Sequence, residues 1–86
     1  MDVEIHRIPR KFLDGLSPKI RDNIKSQIKI LSEDPYSKKL DIKKLKGRAN
    51  KPDIFRLRVG EYRVIYAIQE NKIWVTEIDI RGHINY

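Results

Sequence analysis

Hydrophobic and polar positions alternate with a period of two near both ends of the chain. Residues 2–8, DVEIHRI, alternate in this way and predict a short strand. Pro9 is then predicted to open a short helix that ends at Gly15. Near the other end, the pattern predicts strands over residues 54–59, 62–69 and 73–81. The two ends of the chain are therefore expected to share one sheet.

Between these regions the apolar spacing is helical. Ser17 and Pro18 form a favourable helix start, with serine as the N-cap and proline at the first helical position. Asp34-Pro35 ends the helix, because the residue before a proline is biased away from helical geometry. One apolar stripe runs along it, formed by Ile20, Ile24, Ile28 and Leu31.

The next segment, residues 36–52, is strongly basic and is predicted to be a loop. Leu40, Ile42 and Leu45 are expected to tether it to the core. Its cations are predicted to point outward: Lys38, Lys39, Lys43, Lys44, Lys46 and Arg48. The order of elements predicts one α+β domain over residues 1–86. An N-terminal strand and a two-helix hairpin pack with an antiparallel sheet that a C-terminal three-stranded meander completes, with the helices on one face.

The hairpin FRLRVGEYRVIY places arginines on one side of the sheet. Residues 59–62 predict a two-residue turn in which Gly60 supplies the positive φ. This register puts Arg58 opposite Arg63 and the apolar side chains on the core face. Arg56 joins the two arginines on the other face. Like charges across a strand pair are destabilising, so the pattern favours a bound anion such as phosphate.

The register of the last strand depends on its turn. A three-residue loop over 70–72 is preferred, because a two-residue loop would put Glu77 in the core. The core face then receives Trp74, Thr76, Ile78 and Ile80. The arginine face receives Val75, Glu77, Asp79 and Arg81, with Asp79 opposite Arg63. An alternative is a solvent-exposed face whose arginines pair only with Glu77 and Asp79.

Composition narrows the partners and the chemistry. A formal net charge of +7 favours a polyanionic partner, either nucleic acid or an acidic protein. The absence of cysteine excludes disulfides and thiolate metal sites and fits the cytoplasm. We expect no membrane span and no signal peptide, because the apolar runs are short. No metal or cofactor is expected, since no ligand cluster or glycine-rich phosphate loop is present.

Three segments together resemble a known family: KKLKG at 43–47, DIFRLRVGEYRVIYAI at 53–68 and RGHINY at 81–86. The pattern is similar to the RelE/ParE toxin superfamily, and most of all to the archaeal members of its RelE branch. The resemblance implies a toxin that cuts messenger RNA in the ribosomal A site. The implied cleavage is metal-independent, with the ribose 2′-hydroxyl attacking the adjacent phosphorus. A RelB antitoxin is the implied partner that blocks the toxin.

The resemblance also implies the site residues. The matching catalytic positions are Arg56, Arg58, Arg63, Arg81 and Tyr86. Family members often have lysine at the first two of these positions, whereas arginine here can only stabilise charge. Tyr86 is the candidate base, and His83 is its rival because histidine titrates near neutrality. The residues expected to grip ribosomal RNA are Lys43, Lys44, Lys46 and Arg48.

Two other functions compete with the nuclease. A ParE-like relative would inhibit DNA gyrase without needing the arginine set. A plain RNA- or DNA-binding module would carry aromatic side chains among its basic residues. That module is disfavoured because all the aromatics of the strands are predicted on the core face: Phe55, Tyr62, Tyr66 and Trp74.

Overall fold

The computed structural model describes residues 1–48 and 50–80, apart from the side chains of Lys46 and Arg48. Within these residues, five strands and two helices follow one another along the chain. Their bounds are β1 (Asp2–Ile5), α1 (Arg7–Asp14), α2 (Pro18–Glu33), β2 (Asp41–Arg48), β3 (Lys51–Val59), β4 (Tyr62–Gln69) and β5 (Lys72–Ile80). Neither helix of the described chain is long and apolar enough to cross a membrane.

The strands form a mixed sheet in the order β1-β5-β4-β3-β2. Neighbours from β2 to β5 are antiparallel, whereas β1 pairs with β5 in parallel. The predicted α+β architecture is confirmed: an N-terminal strand, a helix pair and a C-terminal meander share one sheet. The meander is extended by β2, which had not been predicted.

Strand β2 shows that the predicted loop over residues 36–52 was wrong. Among the described strands it lies at the edge of the sheet and pairs with β3 alone. Ile42 packs against the core, but Leu45 is 44% exposed and does not tether the segment as expected. Lysine-rich sequence is common on sheet edges, where it discourages pairing with other chains. Such a strand lacks the alternating apolar pattern that identifies a strand in sequence.

The first strand is also shorter than predicted. It ends at Ile5, and α1 begins at Arg7, ahead of Pro9. Pro9 is the third helical residue, a position whose backbone N–H has no partner within the helix, so its missing donor costs nothing. Ile8 is 80% exposed. Because Ile8 falls on the same face as Glu4 and His6, it does not continue the apolar face of Val3 and Ile5, and the strand ends before it.

Both helices pack on one face of the sheet and form the hydrophobic core with it. The buried part of the predicted stripe on α2 is Ile24, Ile28 and Leu31, and α1 adds Leu13. Beneath them the sheet contributes fully buried side chains: Leu57, Val64, Tyr66, Ile73 and Val75. We call the opposite face of the sheet the outer face.

The turn between β3 and β4 confirms the predicted register. Gly60 has a φ of 61°, a conformation that L-residues with a Cβ rarely adopt. Val59 pairs with Tyr62, and Arg58 pairs with Arg63. Alternation along both strands then sends arginines to the outer face and aliphatic side chains to the core.

The turn between β4 and β5 differs from the prediction. It has two residues, Glu70 and Asn71, both with positive φ, and Gln69 pairs with Lys72. The predicted three-residue loop was therefore wrong. Val75 is buried, whereas Trp74 lies on the outer face, opposite Ala67.

A β-bulge explains why the far end of β5 nevertheless agrees with the prediction. Tyr66 pairs with Val75, but the next residue, Ile65, pairs with Glu77, so one extra residue is inserted in β5. The insertion restores the predicted pairing of Arg63 with Asp79. It also keeps Glu77 out of the core, which a two-residue turn without a bulge would not have done.

Tyr66 places a polar hydroxyl group in the hydrophobic core. Its ring stacks on Phe55 with the centroids 5.4 Å apart, and the residue is fully buried. Its hydroxyl has no hydrogen-bond partner among residues 1–48 and 50–80. Burial, with a smaller contribution from Tyr36, raises the pKa of Tyr66 to about 12. The phenol therefore stays protonated in the folded protein well above its ordinary pKa of ~10.

We expect Tyr66→Phe to unfold at the same or a higher urea concentration than the wild type at pH 7, because it removes an unsatisfied buried hydroxyl. The raised folded-state pKa stabilises the protein below pH ~10, and this contribution is lost as the pH rises toward 12. The alkaline decline, on the order of 2 kcal/mol, should be smaller in the variant.

Tyr36→Phe is the control, because it removes a hydroxyl from a side chain that is 72% exposed. It should keep most of the alkaline decline. If Tyr66→Phe were instead destabilised at pH 7 by more than about 1 kcal/mol, the hydroxyl would have to make a hydrogen bond.

Candidate functional site

The outer face carries a compact group of charged side chains. Alternation along β3 and β4 brings Arg56, Arg58 and Arg63 to this face, as the sequence predicted. Their side chains are only 19%, 29% and 19% exposed, so the guanidinium groups lie against the sheet. Together with Asp41 and Asp79, which lie beside them, they form what we call the arginine cluster.

Asp41, at the start of β2, links two of the arginines. Its Oδ1 accepts a hydrogen bond of 2.9 Å from Nη2 of Arg56. Its Oδ2 lies 3.7 Å from Nη1 of Arg58. Asp41 was not predicted at the site because it lies in the segment predicted as a loop. Once β2 pairs with β3, Asp41 stands directly opposite Arg58.

Asp79 holds the third arginine in a two-point contact. Nε of Arg63 donates to Oδ1 of Asp79 at 3.0 Å, and Nη2 donates to Oδ2 at 2.9 Å. This parallel pair of charge-assisted hydrogen bonds fixes the orientation of the guanidinium. Asp79 was predicted opposite Arg63, and the structure confirms it. Glu77, the other predicted partner, lies opposite Ile65 instead of an arginine.

The two carboxylates explain how the hairpin tolerates stacked arginines. They interleave with the guanidinium groups and leave the cluster with one net positive charge. Asp41 engages Arg56 and Arg58 through single contacts, and each guanidinium has five N–H groups in a fixed fork. Within the described residues, the buried Nε of Arg56 has no hydrogen-bond partner. The cluster therefore keeps a net positive charge on oriented guanidinium groups while its own repulsion is offset.

The predicted RNA-gripping lysines are distributed over β2. Lys43 is exposed and pairs with Arg56, so it extends the basic surface of the outer face. Lys44 pairs with Phe55 in the register and forms an ion pair of 3.4 Å with Asp53. Lys46 and Arg48 belong to the same strand, but their side chains lie outside the described set.

Gly47 is the glycine of the motif at 43–47, and it lies close to two flexible, half-exposed side chains. It lies where the β2–β3 register shifts. A Cβ at this position would come within 2.8 Å of Lys44 Cε and 2.9 Å of Asp53 Oδ1. Any side chain would displace the ion pair that these two residues form.

Three residues expected at the site lie outside the described residues: Arg81, His83 and Tyr86. Their predicted roles stay predictions. Among the described tyrosines, Tyr66 is unsuited to act as a base, because it is buried in the core and its pKa is raised. The arginine cluster itself can bind and neutralise negative charge, but its guanidinium groups cannot exchange protons near neutrality.

Comparisons with known proteins agree with this geometry. The family model described as "ParE toxin of type II toxin-antitoxin system, parDE" matches residues 4–84. Comparison with curated protein sequences gives no significant match.

Solved structures share the fold over nearly the whole chain. The archaeal RelE–RelB complex from Pyrococcus horikoshii contains a chain 30% identical to this one, with a TM-score of 0.83 and coverage of 96% of this chain and 97% of that one. The RelB–RelE antitoxin–toxin complex from Methanococcus jannaschii gives 26% identity, a TM-score of 0.69 and coverage of 94% and 98%.

A bacterial complex is similar to the same extent. The toxin–antitoxin complex RelBE2 from Mycobacterium tuberculosis gives 25% identity and a TM-score of 0.71, and it covers 93% of this chain and 96% of that one. Both the family model and the archaeal structure at 30% identity therefore lead to the same assignment. The chain belongs to the RelE/ParE superfamily of toxins of type II toxin–antitoxin systems.

Proposed function

We propose that the protein is a ribosome-dependent endoribonuclease that cuts messenger RNA in the A site and so inhibits translation. The observation that carries the proposal is the arginine cluster. It brings together three of the site residues that the family resemblance implies, Arg56, Arg58 and Arg63, and carboxylates orient them. Arginine suits this role because its rigid fork matches the geometry of a phosphate.

Cleavage would follow attack of the ribose 2′-hydroxyl on the adjacent phosphorus. The new O–P bond forms as the bond to the 5′-oxygen breaks, and the products are a cyclic phosphate and a 5′-hydroxyl. Arg58 and Arg63, which face each other across β3 and β4, would clamp the phosphate and stabilise its developing negative charge. A base must take the 2′-proton and an acid must protonate the leaving oxygen. Tyr86 is the proposed base, with His83 as the alternative, and Arg81 would neutralise the leaving oxygen.

The ribosome is part of the proposed reaction because the described site contributes charge stabilisation more than proton transfer. Correct alignment of the attacking hydroxyl can itself lower a barrier by several kcal/mol. Lys43 and Lys44 on β2, with Lys46 and Arg48, would hold the toxin against ribosomal RNA phosphates. Such contacts weaken as salt increases, because counterions are released on binding.

The proposed antagonist is an acidic RelB-like antitoxin. The relatives from P. horikoshii and M. jannaschii were solved as complexes with RelB. The net charge of +7 gives this chain a surface that an acidic partner would complement. By covering basic surface, the antitoxin would exclude the toxin from the ribosome.

A second candidate is supported by the description of the matching family model. A ParE-like toxin, as the resemblance in the sequence implies, would inhibit DNA gyrase and leave RNA intact. The oriented arginine cluster gives such a protein no evident advantage. A supercoiling assay with purified gyrase separates the two candidates.

We expect Arg63→Ala to reduce cleavage of messenger RNA on programmed ribosomes by roughly 10²–10³-fold, the typical loss when one charge-stabilising donor is removed. The assay compares cuts in the A-site codon with cuts in ribosome-free RNA, where neither protein should cleave. Arg21→Ala is the matched control, since it removes the same charge from α2 on the other side of the sheet. No cleavage by the wild type, together with inhibition of gyrase, would replace the nuclease with the second candidate.

Asp79→Asn tests whether the carboxylate orients Arg63 for the reaction. The amide keeps the shape but loses one acceptor and the negative charge, so Arg63 is held less firmly. We expect the single-turnover cleavage rate at saturation to fall roughly tenfold or more, because misplacement of a catalytic group is costly. Binding to ribosomes should be unchanged or tighter, since negative charge is removed. An unchanged cleavage rate would show that Asp79 only neutralises charge.

A further inference from the structure

The outer face is arranged in three rows of side chains that cross the sheet. The first row is Arg58, Arg63 and Asp79, the second is Arg56, Ile65 and Glu77, and the third is Ile54, Ala67 and Trp74. Same-face neighbours along a strand are ~7 Å apart, so the third row lies ~13 Å from the first. The charged cluster therefore continues into an apolar and aromatic region on the same surface.

The third row contains a depression of about 380 Å³. Small Ala67 lies between Ile54 and Trp74, and this difference in size creates the hollow. His6 and Thr76 line the same hollow. Its volume is in the range of small-molecule sites, ~300–1,000 Å³.

Trp74 is held in place as a rigid wall. Its Nε1 donates a hydrogen bond of 3.3 Å to the carbonyl oxygen of Gln69. The His6 ring meets it edge-on, with the centroids 6.1 Å apart and the planes at 64°. The ammonium of Lys72 lies over one face of the indole, 5.6 Å from its centroid, which leaves the opposite face for stacking. An aromatic ring that is fixed in this way and flanked by a cation can stack a planar base with little loss of side-chain entropy.

We propose that this hollow binds a nucleobase of single-stranded RNA whose phosphates are held by the arginine cluster. Two observations favour RNA over a peptide: the hollow is continuous with the arginine rows, and Lys72 adds positive charge at its border. The two-residue turn places Trp74 on the same face as the arginine cluster, with Lys72 beside it and Glu4 of β1 as its register partner, and an aromatic side chain that shares a face with basic residues is typical of single-strand binding. The inference rests on the proposed function, which identifies the bound polymer as RNA. It adds a site for a base that lies apart from the arginine cluster, where cleavage is proposed.

Trp74 is the single tryptophan of the chain, so its fluorescence reports on the hollow directly. The probe is a short 2′-O-methyl RNA, which cannot be cleaved by 2′-hydroxyl attack, and its matched control has the same backbone without bases. We expect saturable quenching by the RNA and binding at least roughly tenfold weaker for the abasic strand, the usual effect of losing one stacked base. Arg63→Ala should weaken binding of both strands and leave their ratio unchanged.

Variants extend the test to cleavage. Trp74→Ala should lower kcat/KM on programmed ribosomes roughly tenfold, whereas Trp74→Phe should retain most of the wild-type kcat/KM. Ala67→Val narrows the hollow and should weaken RNA binding although Trp74 is intact. Base-dependent quenching without ribosomal cleavage would support the hollow and reject the nuclease. Equal binding of the two strands, no quenching by RNA, or a fluorescence change caused only by the antitoxin would overturn the inference.

Discussion

The alternation of side chains across the β3–β4 hairpin is the constraint on which both faces of this protein depend. Gly60 accepts the left-handed backbone of a two-residue turn, and the turn fixes which residues stand opposite one another. One residue of slippage would send the arginines into the core and the aliphatic residues to the solvent. The hydrophobic core and the arginine cluster are thus two results of a single register. Burial of Leu57 and Val64 beneath the helices locks that register in place.

The arginine cluster balances the mutual repulsion of its guanidinium groups against their availability to bind an anion. Without Asp41 and Asp79, partly buried guanidinium groups on neighbouring strands would repel one another. With them, the groups are oriented before any ligand arrives, and little reorganisation is needed when negative charge develops. The same carboxylates reduce the attraction for a phosphate. A site that binds weakly in isolation and acts on a substrate positioned by the ribosome is consistent with this balance.

Strand β5 shows how two local irregularities alter a whole surface. The two-residue turn exposes Trp74 on the outer face, and the β-bulge then returns Asp79 to the position opposite Arg63. Either irregularity without the other would have placed the wrong side chains of β5 on the two faces of the sheet. The correct partner for Arg63 follows from the sequence even with an incorrect loop, because a longer loop and a bulge add the same single residue. The incorrect loop places Trp74 in the core, whereas the two-residue turn places it on the outer face.

The amino-acid sequence by itself determined the α+β class, the helices, the arginine hairpin and the superfamily, because periodicity, turn chemistry and the segment at 53–68 are local signals. Only the tertiary structure decided the edge strand β2, since a lysine-rich edge in which Ile42 is the apolar residue packed against the core has no periodic pattern. It also decided the role of Asp41, whose partners are 15 and 17 positions away along the chain and meet it only across paired strands. The hollow beside Trp74 arises for the same reason: its walls come from different strands, and only their register brings them together.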